Sequence, residues 1–176
     1  MKLLAAARAR ALNKKRYPVL GYVPNDNPRH VGLAILLQLA ECVTDIYPVY
    51  QVFNQNRPAD TIDELKTGYR KLVLSAMSVC GLAGLDSEEL VRALMTRFPK
   101  DDRDLVSMAG QFMLAVGACQ KWTSALLNDE WNGHEGQARK SVGSQGMLMV
   151  LYALGCASKV TDPFALLYSA FEPVPA

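Results

Sequence analysis

The sequence predicts an all-α protein: an antiparallel bundle of four long helices from two similar long-long-short halves, with a basic N-terminal helix or arm ahead of it. Three observations predict it. Apolar residues recur at helical spacing through four long stretches. Proline, glycine and asparagine collect between those stretches, where connections short enough to reverse the chain belong. At 176 residues, half of them apolar, the chain can bury a single core without disulfides or metal.

The first helix is expected from Lys2 to about Lys15. The stretch 17–28 follows, and its three prolines with Gly21, Asn25 and Asn27 forbid regular helix. A long helix is expected over about Arg29 to Phe53, with a possible bend at Pro48 and an end at 54–58. Thr61 and Glu64 form a capping box for the next, which runs to about Leu82. Gly84 suits the left-handed turn that closes it, and Asp86 to Glu89 opens a short helix stopping at Phe98-Pro99. From Asp101 the order repeats: a long helix to about Leu127, a turn over 131–136, a long helix to about Cys156, and a short one opened by Asp162-Pro163. Residues 1–28 thus read as a basic helix and Pro-rich linker, and 29–176 as one helical domain with halves 29–99 and 101–173. Phe98 maps onto Phe171 at an offset of 73.

The helix over 29–53 is apolar around most of its circumference, with Gln38, Glu41 and Asp45 as its polar stripe. The helix after Asp104 has no charge until Lys121, and Gly110 and Gly117 lie one heptad apart. Such a helix is central in the bundle or belongs to a dimer interface. Cys42, Cys80, Cys119 and Cys156 lie singly in apolar helical runs and read as small core residues of a reduced compartment. No apolar run reaches the roughly 20 residues that cross a bilayer, and the start lacks a secretory signal, so a cytoplasmic protein with no membrane span is expected.

Charge is unevenly placed. Lys2, Arg8, Arg10, Lys14, Lys15 and Arg16 give the first 16 residues six positive charges and no acid, whereas the remainder is net acidic. That asymmetry suits contact with phosphate, an anionic surface or the acidic body of a second copy. Lys66 and Arg70 are further candidates for phosphate or nucleic-acid contact, although no groove-reading helix or RNA-binding aromatic motif accompanies them. No histidine arrangement supports nucleophilic catalysis, and no phosphate-binding glycine loop follows a strand.

The carboxylates carry the most chemical information. Glu41 and Asp45 are spaced i, i+4, and Asp60, Asp63 and Glu64 open the next helix, which is how a bundle gathers oxygen ligands for Mg²⁺. The run Gln38-Leu-Ala-Glu-Cys-Val-Thr-Asp45, a polar loop, and a helix ending Ser75-Ala-Met-Ser-Val-Cys-Gly-Leu-Ala-Gly-Leu-Asp-Ser-Glu-Glu-Leu-Val-Arg-Ala93 resemble the all-α MazG-like nucleoside triphosphate pyrophosphohydrolases. In that family an EExxE-type motif and an ExxD motif hold Mg²⁺ for cleavage between the α and β phosphates. Glu41 and Asp45 fit the first motif, with Cys42 replacing its middle acid; the second falls on Gly68 to Lys71 and lacks both acids.

Antiparallel pairing instead places Asp45 beside Tyr69 and Arg70, so the expected substitute for the metal is an ion pair of Asp45 with Arg70, joined by Glu41 with Lys71 or Tyr69. The second half offers no replacement, since Leu114 and Ala118 stand at the matching positions.

Two functions follow. The first is a non-catalytic helical binding or assembly protein on a MazG-like scaffold, without a cofactor, which self-associates or meets another protein, a nucleic acid or a nucleotide. The alternative is a Mg²⁺-dependent nucleotide pyrophosphohydrolase with Glu41, Asp45, Asp60 and Asp63 as ligands and Lys66 or Arg70 neutralising phosphate.

Overall fold

A computed structural model describes residues 3–25, 27–54, 61–98, 104–128 and 134–169, with backbone alone for 47–54 and 61–62. The described residues are all-helical: α1 (Leu3–Ala11), a 3₁₀ turn (Pro18–Tyr22), α2 (Pro28–Asn54), α3 (Thr61–Ala83), α4 (Ser87–Arg97), α5 (Leu105–Leu127), α6 (Glu135–Ala157) and α7 (Pro163–Ser169).

Local chemistry sets these boundaries. Asn27 accepts from the Arg29 amide at 2.9 Å with Pro28 as the first helical residue, so α2 begins as the sequence predicts. Gly84 has φ of +84°, the left-handed conformation that lets the chain leave α3 and enter α4 within three residues. Asp104 caps α5, its Oδ1 taking the Ser107 amide at 2.7 Å, so that helix starts at Leu105 rather than at Asp101. The first helix stops at Ala11, short of the expected Lys15, because Asn13 turns the chain. Its side chain accepts from the Lys15 amide at 2.9 Å and its carbonyl from the amides of Arg16 and Tyr17. The capping-box side chain of Thr61 lies outside the described residues.

Each long helix packs on two others, closing a ring α2, α3, α6, α5. Glycines set the closest approaches: Gly146 lies against Cys80 and Val79, Gly143 against Ala83 and Leu85, and Gly155 against Met108. Because the residue numbers rise on one helix as they fall on the other, α3 and α6 run antiparallel in this contact. Of the short helices, α4 lies on α6 and α7 lies against both α3 and α6, and the Phe98 and Phe164 rings meet edge to face at 5.5 Å between centroids.

The two halves share a burial pattern. Val31, Ile35, Gln38, Leu39, Cys42 and Ile46 of α2 are buried, as are the α5 residues 77 positions on: Met108, Phe112, Ala115, Val116, Cys119 and Thr123. Cys80, Asp86 and Leu90 recur 76 positions on as Cys156, Asp162 and Leu166. The shared burial pattern thus follows an offset of 76 to 77 residues, and the Phe171 used for the offset of 73 lies outside the described residues. In this register Ala118 and Trp122 replace Glu41 and Asp45, so the second half again presents no carboxylates there.

The N-terminal segment belongs to the same core. Leu3, Leu4, Ala7 and Ala11 of α1 and Leu20 of the 3₁₀ turn are buried with the bundle residues, and α1 packs chiefly on α3. A Cβ on Gly81 would strike the Leu4 carbonyl, so glycine there allows this approach. Ser78 Oγ donates to the Ala7 carbonyl at 3.2 Å, and Ser87 Oγ accepts from the Leu4 amide at 3.2 Å. The core therefore includes residues on both sides of position 28, and small residues on both α1 and α3 let the helices meet.

Candidate functional site

The docking of α1 brings basic side chains onto the polar stripe of α2. Arg10, one residue before the end of α1, donates from Nη2 to Glu41 Oε2 at 3.0 Å and from Nη1 to Gln38 Oε1 at 2.9 Å. The Asn13 turn then returns Arg16 and Tyr17 to the same place. Arg16 Nη2 and the Tyr17 hydroxyl donate to Glu41 Oε1 at 3.0 and 2.5 Å, and Ser75 of α3 donates to Oε2 at 3.0 Å. The Tyr17 oxygen accepts in turn from Arg16 Nε and Gln38 Nε2, each at 2.9 Å. Among the described residues no buried side-chain nitrogen or oxygen lacks a hydrogen-bond partner, as buried charge requires.

Burial opposes charge on Glu41, but the Tyr17 hydroxyl and the two guanidinium groups outweigh it and hold the carboxyl at about 2. It is fully ionised at neutral pH. A divalent cation binding here would have to displace two arginines that already supply charge and hydrogen bonds to both oxygens.

The other expected ligands are arranged differently. Asp45, one turn along α2, is half-buried; burial raises its pKa, and Lys71 is the foremost charge opposing that shift. Asp63 is exposed and 3.5 Å from Lys66. Asp60 lies outside the described residues. Among those described, no three His, Cys, Asp or Glu side chains gather as a metal site needs.

The expected pairing of Glu41 with Lys71 or Tyr69 is corrected: its cations come from Arg10 and Arg16, while Tyr69 is buried in the core. Contacts along α2 and α3 alone do not reveal this, because the partners come from residues remote in sequence. A signal existed in the acid-free first 16 residues facing a net acidic body, together with Leu3, Leu4, Ala7 and Ala11 on one helix face.

The structure distributes the remaining basic candidates. Lys14 and Lys15 are exposed after α1. Arg8 borders a cleft of about 600 Å³ beside Asp86, Ser87 and Glu88 at the start of α4. Lys66 and Arg70 line a second cleft, about 770 Å³, with Thr67 of α3, Thr161 two residues before α7 and Ser169 at its end. His30 is buried with Nδ1 3.0 Å from the Val23 carbonyl, and His134 precedes α6 at the surface. No helix among the described residues is long and apolar enough to cross a membrane. No family model, curated protein or solved structure matches this chain.

Proposed function

We propose that this chain is a non-catalytic helical binding or assembly protein on a MazG-like scaffold, meeting a protein partner or a nucleic acid partly through its basic N-terminal segment. The observation that carries the reading is the occupation of Glu41. It stands where the resemblance places a metal ligand, yet both oxygens are held by Arg10, Arg16, Tyr17 and Ser75. The same bonds fasten the N-terminal segment to the bundle, so the carboxylate has a structural task. Contact with a polyanion falls to the exposed Arg8, Lys14 and Lys15, since Arg10 and Arg16 already serve Glu41.

The test is direct incubation with each nucleoside triphosphate and Mg²⁺ or Mn²⁺, assayed for monophosphate and pyrophosphate. No release above a protein-free control is expected. Turnover that disappears in a folded Glu41→Gln variant would instead establish the Mg²⁺-dependent pyrophosphohydrolase.

A further inference from the structure

The outward face of α5 is unlike a solvated helix surface. Val106 is 62% exposed and Leu114 67%, and α5 carries no charge before Lys121. Gly110 and Gly117 also face open space, with nothing within 4 Å of the position a Cβ would take. On a helical wheel Val106, Gly110, Leu114 and Gly117 share one side, opposite the buried Met108, Phe112, Ala115 and Cys119. On α2, which packs on α5, Ala40 and Val43 are also exposed, the latter by 41%.

We infer that this face is the seam of a symmetric dimer in which α5 packs antiparallel against α5 of a second copy, about a two-fold axis near Leu114. The inference rests on the assembly part of the proposed function and gives it a surface and a partner. The direction follows from the pattern of the helix itself. A two-fold axis near Leu114 sets Gly110 opposite Gly117 of the second copy, so the gaps coincide on either side of the central leucines and the backbones approach closely. It also brings Lys121 opposite Val106 of the second copy, within side-chain reach of the exposed Asp104 that begins α5. A parallel pairing would stack Lys121 on itself. The charges at the two ends therefore complement each other only in the antiparallel, isologous arrangement.

The size is adequate. With the axis near Leu114 the two copies of α5 overlap over residues 105–122, about 27 Å, and with α2 alongside the face is roughly 20 Å wide, giving about 540 Å² per copy or about 1,100 Å² in all, just above the ~1,000 Å² a specific interface needs.

Light scattering coupled to size exclusion should give the mass of a dimer for the wild-type chain and of a monomer for Leu114→Glu, with the helical circular dichroism unchanged. The register is read by cysteine pairs. Both glycines point into open space and the four native cysteines are buried, so Gly110→Cys and Gly117→Cys each place one accessible thiol on the seam. With a short bismaleimide, a mixture of the two variants should cross-link and either variant alone should not. A wild-type monomer at tens of micromolar, a dimer unaffected by Leu114→Glu, or efficient cross-linking of each variant with itself overturns the inference. None of these outcomes bears on nucleotide hydrolysis, so the non-catalytic reading stands or falls separately.

Discussion

At the scale of single residues, Glu41 shows how a potential ligand becomes a structural anchor. A carboxylate this buried is unfavourable unless charge-assisted hydrogen bonds replace its water, and Arg10, Arg16, Tyr17 and Ser75 provide them. Glu41→Gln keeps the shape but leaves two arginines without their counter-charge. It should lower stability by roughly 2 kcal/mol at pH 7, since the pair is partly rather than fully buried. The pH dependence has a definite sign. The folded pKa of about 2 lies below the ordinary 4.5, so the stabilisation is complete above about pH 4.5 and disappears as pH falls toward 2. Urea denaturation of both proteins between pH 6 and pH 2.5 should show curves that converge at the acid end.

At the scale of elements, glycine divides by what surrounds it. Gly81→Ala drives a methyl group into the Leu4 backbone, so α1 must move; a loss of about 1 to 3 kcal/mol is expected, with earlier proteolysis of the N-terminal segment. Gly68, inside α3 with open space around it, is the control: Gly68→Ala should be neutral or stabilise by up to about 1 kcal/mol through helix propensity alone. The element order was legible because capping residues and turn formers mark each end. Asp86 and Asp162 precede the short helices; Asp162 Oδ1 takes the Phe164 amide at 2.9 Å, whereas the Asp86 side chain makes no such bond to α4. The end of α1 was not legible, since Leu12 to Lys15 are acceptable helix residues and only the hydrogen bonds of Asn13 show that the chain turns.

At the scale of the whole molecule, the four cysteines report on the integrity of the core. All are buried, and burial pushes every thiol upward, Cys119 and Cys156 to about 12. An aromatic disulfide reagent should find no reactive thiol in the native protein at pH 8 and four after unfolding, at a rate that follows global opening. A thiol that reacts early would identify a helix able to leave the bundle alone. The cysteines also follow the burial pattern, Cys42 and Cys119 lying 77 residues apart and Cys80 and Cys156 76 apart, all of them buried. Their recurrence was visible in the sequence, but the shared burial pattern was needed to fix the offset.

The sequence by itself determined the helices, their order and most of their ends, because periodicity and caps act over a few residues. It also singled out Glu41 and the uncharged helix after Asp104. Only the tertiary structure decided what those features meet. Arg10 and Arg16 reach Glu41 after the Asn13 turn and the small-residue contact of α1 with α3, while the glycine face of α5 is left outside the four-helix core. Both outcomes depend on distances between residues far apart along the chain, and such distances are set by how helix surfaces fit together rather than by any local pattern.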